Sequence, residues 1–154
     1  MTQQTVALPD DPALAQVLSA LSAEGAQALI VGGAVRNALL GEPISDIDIA
    51  TSARPEDTMR LANQAGLRTV PTGVDHGTVT IIAGGRGYEA TSFRRDVETD
   101  GRHAVVAYSD SIEEDARRRD FTMNALYATL DGQVLDPVGG LSDLAQRKLR
   151  FVGD

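Results

Sequence analysis

Ser45-Asp46-Ile47-Asp48-Ile49-Ala50 alternates polar and apolar residues one by one. That period of two predicts a strand, because successive side chains of an extended chain leave on opposite faces. Ile47 and Ile49 then enter a core, while Asp46 and Asp48 share the other face, roughly 6 to 7 Å apart along the chain. Two carboxylates so close repel, and one is pushed toward its neutral form unless a cation sits between them. Mg2+, which takes hard oxygen ligands, suits such a pair. Alone, an Asp-x-Asp is more often the solvated face of an edge strand, so the residues around it decide the reading.

Upstream, Ala28-Leu29-Ile30-Val31 is a short apolar run suited to a buried strand. Gly32-Gly33 follows, then a helical stretch from Ala34 to Leu40 closed by Gly41. A strand that breaks at two glycines and opens a helix offers free backbone N–H groups and a helix N-terminus to an anion, with no Cβ in the way. Arg36 lies one turn into that helix. The pattern is neither a dinucleotide fingerprint nor a P-loop, since no Lys-Ser/Thr follows. Further upstream, Asp11-Pro12 reads as a cap and first helical residue, and Leu14, Val17, Leu18 and Leu21 follow at helical spacing until Gly25.

Downstream, Pro55 with Glu56 and Asp57 opens a helix that ends at Gly66. Gly77 to Ile82 and Tyr88 to Phe93 read as antiparallel strands joined by a loose loop, Ala83 to Gly87. Glu89, on the second of them, is a third carboxylate for the Asp46 and Asp48 site, and two-metal phosphoryl transfer uses acidic ligands of this kind. Arg94 to His103 is charged and without an apolar face, which predicts a mobile loop. A helix follows from Glu113. Asp131-Gly132 predicts a tight turn between Leu126-Leu130 and Gln133-Leu135, and Asp136-Pro137 with Gly139-Gly140 predicts another. Hairpins with scattered helices predict an α+β fold with a mixed sheet.

The 154 residues, 42% hydrophobic, suffice for one domain with a core, here expected over 1–154. With no cysteine, neither disulfides nor a thiolate zinc site is available. No apolar run approaches the ~18 residues that span a bilayer, so we expect no membrane partner and a cytoplasmic protein. A net charge of −8 would oppose a nucleic-acid partner if it were spread evenly. However, ten of the 14 Lys and Arg residues lie from Arg86 onward, which leaves room for a basic surface.

Gly32-Gly33-Ala34-Val35-Arg36-Asn37-Ala38-Leu39-Leu40-Gly41, followed by Asp46-Ile47-Asp48-Ile49-Ala50-Thr51, resembles the first signature of the class II CCA-adding enzymes and bacterial poly(A) polymerases. His76-Gly77-Thr78-Val79 and Tyr88 to Arg94 resemble the paired strands that come next. Arg118-Arg119-Asp120-Phe121-Thr122-Met123-Asn124-Ala125 resembles the family's Arg-Arg-Asp motif, and Asp136 to Leu144 resembles the segment that leads from head to neck. The matches keep their order over about residues 28–153.

The resemblance implies a polymerase-β-like nucleotidyltransferase head with a mixed, mainly antiparallel sheet flanked by helices. Asp46 and Asp48 would bind catalytic Mg2+, with Glu89 as the third acid. Arg118, Arg119 and Asp120 would select a ribonucleotide through its sugar, and Gly32, Gly33, Arg36 and Asn124 would help hold it. Guanidinium forks do match phosphate oxygens, and an Asp accepts from a ribose hydroxyl. On the plain reading, Arg117 to Arg119 form a solvated helix face paired with Glu113, Glu114 and Asp115, and Arg117 is the arginine expected to do so. The partners implied are CTP, ATP and the 3′ end of tRNA. Poly(A) addition, partial CC or A addition, and a non-catalytic nucleotide-binding module are the alternatives. Asn37 stands where the family usually carries an acid. Family members also continue into a neck that reads the base and into body and tail domains, so this stretch by itself is expected to discriminate bases poorly and to hold RNA weakly.

Overall fold

A computed structural model describes residues 5, 8, 11–44, 46–73, 76–98, 104–119 and 124–145. The first helix, α1 (Pro12–Leu21), starts at Asp11, whose carboxylate accepts from the Leu14 N–H at 3.1 Å and so satisfies one of the free donors of the first turn. Its buried stripe is Leu14, Val17, Leu18 and Leu21, the helical spacing visible in the sequence.

β1 (Ala28–Val31) runs into Gly32, whose φ of +76° is a conformation that favours glycine, and α2 (Gly33–Leu40) begins there. α2 ends at Gly41 in the left-handed region. β2 (Asp48–Thr51) follows, then α3 (Pro55–Gln64) with Glu56 and Asp57 in its first turn, where the helix dipole favours anions. β3 (Arg68–Gly73), β4 (Thr78–Ala83) and β5 (Arg86–Ser92) form a meander. Next come β6 (Arg94–Glu98), β7 (Ala104–Tyr108), α4 (Ile112–Arg117), β8 (Tyr127–Ala128), β9 (Val134–Leu135) and α5 (Gly140–Ala145).

One sheet has the order β3-β4-β5-β2-β1-β8-β9. Its pairs are antiparallel except β2 with β5, so the fold is α+β with a mixed, mainly antiparallel sheet flanked by helices. Ile30, Ile49, Ala90 and Val79 lie side by side on four neighbouring strands and pack with α1 and α3 into the larger core cluster. Leu29, Val31, Ala50 and Tyr127 point the other way, where Phe93 and Ala116 of α4 join them in a second cluster. β2 is thus central rather than an edge strand, and the solvated-edge explanation of Asp46 and Asp48 fails for that reason.

Four expectations change. The strand expected over 45–50 begins only at Asp48, so Asp46 belongs to the extended approach to it. The loop expected over 83–87 is a two-residue turn at Gly84 and Gly85, both with positive φ, because Ala83 pairs directly with Arg86. Arg94 to Glu98, expected to be loop, is a strand paired with β7, while the rest of that stretch, 99–103, lies outside the described residues. Its order comes from the main-chain ladder, which needs no apolar periodicity. β3 had no sequence signal either: it is an outer strand with Pro71, and its register shifts between Val70 and Gly73, a departure that edge strands tolerate.

Candidate functional site

Asp48 sits in register with Val31 on one side and Glu89 on the other, and Val31 is in register with Tyr127. Tyr127, Val31, Asp48 and Glu89 therefore form a row across four strands on one face, each neighbour about 5 Å from the next. Ile47 and Ile49 are buried at 8% and 0% exposure, whereas Asp46 and Asp48 are exposed, so the alternation expected from the sequence holds although the strand is shorter. Asp46, Asp48 and Glu89 line one cleft of about 630 Å3, with Arg86, Gly87 and Tyr88 as further walls.

The Asp48 carboxyl is raised above its ordinary range. Partial desolvation in the cleft is the main cause; Arg119 works against it and the charge of Asp46 adds to it. A cation would relieve both burial and repulsion, and the donors are the hard oxygens that Mg2+ takes. Among the described residues no three His, Cys, Asp or Glu side chains gather as one ion-binding group. An ion held by Asp46 and Asp48 would complete its shell from water and phosphate oxygens, as Mg2+ commonly does.

The glycine turn lies one residue beyond Val31, hence beside Asp48. Gly32 donates its N–H to the Leu126 carbonyl at 3.0 Å, so that donor is spent on the fold and not left free as the sequence led us to expect. The N–H groups of the next three residues have no acceptor inside the helix. Arg36 folds back over the helix start: a Cβ on Gly33 would lie 3.4 Å from its Nη2. Its Nη1 donates to the Asn124 Oδ1 at 2.9 Å and its Nε to the Asn37 Oδ1 at 3.3 Å. Both acceptors are neutral amides, which fix the guanidinium without cancelling its charge. Asn37, where the family usually has an acid, keeps that grip and also donates to the Pro43 carbonyl at 3.1 Å. Arg36, Gly33 and Asn124 are thus brought together.

Arg119 and Arg118 part company. Arg119 forms the i,i+4 ion pair with Asp115 at 3.1 Å, donates from Nε to the Tyr127 hydroxyl at 3.2 Å, and lies over the Tyr127 ring at 5.5 Å. Asp115 is 1% exposed and also accepts from the Tyr127 hydroxyl at 2.5 Å. Burial is the largest influence on Arg119 and opposes its charge, but Asp115 and Tyr127 together outweigh it and hold the guanidinium protonated. Its field reaches Asp48. Arg119, not Arg117, is the arginine of this run that pairs along the helix. Arg118 instead lines a separate cleft with Arg95, Arg117 and Glu114. Asp120, expected to meet the sugar, lies outside the described residues.

Asp115 and Tyr127 are site residues that the sequence did not single out. The four-residue spacing from Asp115 to Arg119 was the available signal for the first. Nothing in the sequence marked Tyr127, whose place depends on the pairing of β8 with β1.

The description "Poly A polymerase head domain" fits residues 28–150 as a family match. The chain is 48% identical over 139 residues to a CCA-adding enzyme of Streptococcus pyogenes serotype M2 (strain MGAS10270), covering 89% of this chain and 34% of that protein. It is 46% identical over 150 residues to a CCA-adding enzyme of Leuconostoc citreum (strain KM20), covering 96% and 36%. The crystal structure of the Bacillus stearothermophilus CCA-adding enzyme in complex with CTP superposes with a TM-score of 0.78 at 42% identity, over 93% of this chain and 34% of that one. A tRNA nucleotidyltransferase complexed with a primer tRNA and an incoming ATP analog gives 0.68 at 30% identity, over 88% and 38%. The chain spans about a third of the length of these curated relatives.

Proposed function

From a chain that belongs to the poly A polymerase head-domain family, as its CCA-adding relatives indicate, we propose the catalytic head of a tRNA nucleotidyltransferase that adds nucleotides from CTP and ATP to a tRNA 3′ end. The observation that carries this reading is the row of carboxylates on a central strand pair, Asp48 beside Glu89 with Asp46 two residues away, next to a glycine turn that opens a helix. The head is proposed to be one domain. We place it in the cytoplasm with its substrate; no helix among the described residues is long and apolar enough to cross a membrane.

In the reaction proposed, the RNA 3′-hydroxyl oxygen attacks the α-phosphorus of the bound nucleotide in line and gives up its proton to solvent. The P–O bond to the pyrophosphate breaks as the new ester bond forms. Asp46 and Asp48 would hold a Mg2+ ion, whose positive charge would offset the negative charge that develops on the phosphoryl oxygens. Glu89 stands in register with Asp48 to orient the attacking hydroxyl. Arg36, fixed by Asn124 and Asn37, holds phosphate together with the N–H groups after Gly32 and Gly33. Arg119 faces the same site with its charge kept by Asp115, and Asp120 accepts from the ribose 2′-hydroxyl. Catalysis of this kind is mostly positioning and electrostatics.

The test is incorporation of labelled CTP into a tRNA lacking its 3′ end, with Mg2+-dependent CTP binding measured alongside by calorimetry. Asp46→Ala and Asp48→Ala should each abolish transfer and leave the circular dichroism spectrum unchanged. Near wild-type turnover in either variant would overturn the assignment. Product length separates CCA addition from poly(A) synthesis and from partial CC or A addition.

A further inference from the structure

Arg95, Arg117 and Arg118 line a surface cleft of about 220 Å3, distinct from the acidic cleft and shared with one carboxylate, Glu114. Glu114 is already engaged as an acceptor from the Ser109 hydroxyl. Among the described residues no carboxylate closes an ion pair with any of the three arginines. The buried Nε atoms of Arg118 and of neighbouring Arg94 find no hydrogen-bond acceptor among the described residues. The main-chain N–H of Arg94 donates to the Asp115 carboxylate of α4 at 3.2 Å, which fixes the backbone beside the cleft. Burial, and next the charge of Arg118, make Arg94 easier to deprotonate than an ordinary arginine. Three arginines thus share the cleft with one carboxylate, Glu114, and a bound anion would offset the excess positive charge.

We propose that this cleft, with Arg95, Arg117 and Arg118 on its walls and Arg94 beside it, holds backbone phosphates of the single-stranded RNA end being extended. The inference rests on the tRNA nucleotidyltransferase reading and adds an RNA-strand site to it. The ligand class is phosphodiester because guanidinium forks match phosphate oxygens. The nucleotide's own triphosphate is the other source of phosphate. It is disfavoured because none of these three arginines lines the cleft that holds Asp46, Asp48 and Glu89. The site also explains how a chain of net charge −8 takes up a polyanion: the binding charge is local.

The experiment uses this chain, a fluorescein-labelled RNA hairpin with a single-stranded 3′ end, and the double variant Arg95→Ala, Arg117→Ala. Both residues are exposed and lie outside the acidic cleft, and thermal melting checks that the variant is folded. Fluorescence anisotropy over a salt series should show RNA affinity about tenfold weaker at low salt, and a salt slope shallower by about 1.4, at ~0.7 per phosphate of a single strand. Arg95→Lys, Arg117→Lys should restore most of the slope, because the point charges remain. Mg2+-dependent CTP affinity should not change. Unaltered RNA affinity in the alanine variant, no RNA binding by the wild type, or a fall in CTP affinity would each overturn the proposal, the last by making the cleft part of the triphosphate site. CTP incorporation by the wild-type chain is followed separately. Its absence would overturn the nucleotidyltransferase reading, whereas an RNA affinity indifferent to the alanines overturns only the strand site.

Discussion

Asp48 is held at a cost to the fold. Its raised pKa, caused by desolvation and by Asp46 against the pull of Arg119, means that the folded state keeps its proton more readily than the unfolded chain does. That cost is absent in acid below the unfolded carboxylate value near ~3.9 and grows as pH rises through the window above it, up to the raised folded value. Asp48→Asn should therefore melt at a higher temperature than the wild type near neutral pH without divalent metal, lose that advantage in acid, and be inactive. Melting curves across pH that run parallel would refute this. Asp115 is the opposite case: 1% exposed, it is the anion for Arg119 and the acceptor for the Tyr127 hydroxyl. Asp115→Ala strands the partly buried Arg119 cation and should cost up to about 3 kcal/mol, the lower end for a broken buried pair. Tyr127→Phe removes one hydrogen-bonding group and should cost about 1 kcal/mol. Urea unfolding of the two variants gives the comparison, and equal losses would mean that the triad does not hold Arg119 as described.

α1 shows how an element far in sequence from the site still shares its wall. Asp11 caps the helix through Leu14 and accepts from the Tyr88 hydroxyl at 2.8 Å, with Arg86 at 3.5 Å; Arg86 and Tyr88 also line the acidic cleft. Burial alone would raise the Asp11 carboxyl, but the Leu14 N–H, the Tyr88 hydroxyl and Arg86 together lower it. Its contribution to stability is thus present above the unfolded value near ~3.9 and is lost as pH falls through the lowered folded value. Asp11→Ala should cost about 1–2 kcal/mol near neutral pH, in the range of a lost cap, and progressively less in acid, as chemical denaturation at a series of pH values can check. Elements with a local signal were legible: α1 by its period, α3 by Pro55 and its acidic first turn, and β4 and β5 by β-rich runs around a glycine turn. β3 and β6 were not, because a strand on an outer edge or in a two-stranded ribbon is specified by main-chain pairing, and main-chain groups are the same for every residue.

At the scale of the molecule, the residues proposed to meet a nucleotide are Gly32, Gly33, Arg36, Asp46, Asp48, Arg119 and Asp120. They serve phosphate, metal or ribose, and none offers a pattern of donors and acceptors that tells cytosine from adenine. We therefore expect this chain to bind CTP, ATP, GTP and UTP with weak, Mg2+-dependent affinities within about tenfold, or ~1.4 kcal/mol, of one another. Calorimetric titration of the four nucleotides decides it, and a larger preference for CTP and ATP would show that these residues, or their neighbours, read the base.

The sequence by itself determined the α+β class, the outward facing of Asp46 and Asp48 against Ile47 and Ile49, and the break from strand to helix at Gly32. Each of these is local: the period of two, the need for positive φ and the end of an apolar run all act within a few residues. Tertiary structure alone decided that β2 is central, that Glu89 lies beside Asp48, that Gly32 spends its N–H on Leu126, and that Arg118 and Arg119, adjacent in the chain, part, Arg118 to a surface cleft and Arg119 to Asp115 and Tyr127. Those outcomes depend on the register between strands 40 or more residues apart and on a buried acceptor, Asp115, that claims one arginine and leaves the other. Pairing of that range is settled by the fit of the whole sheet and its two core clusters, and no short stretch of residues contains it.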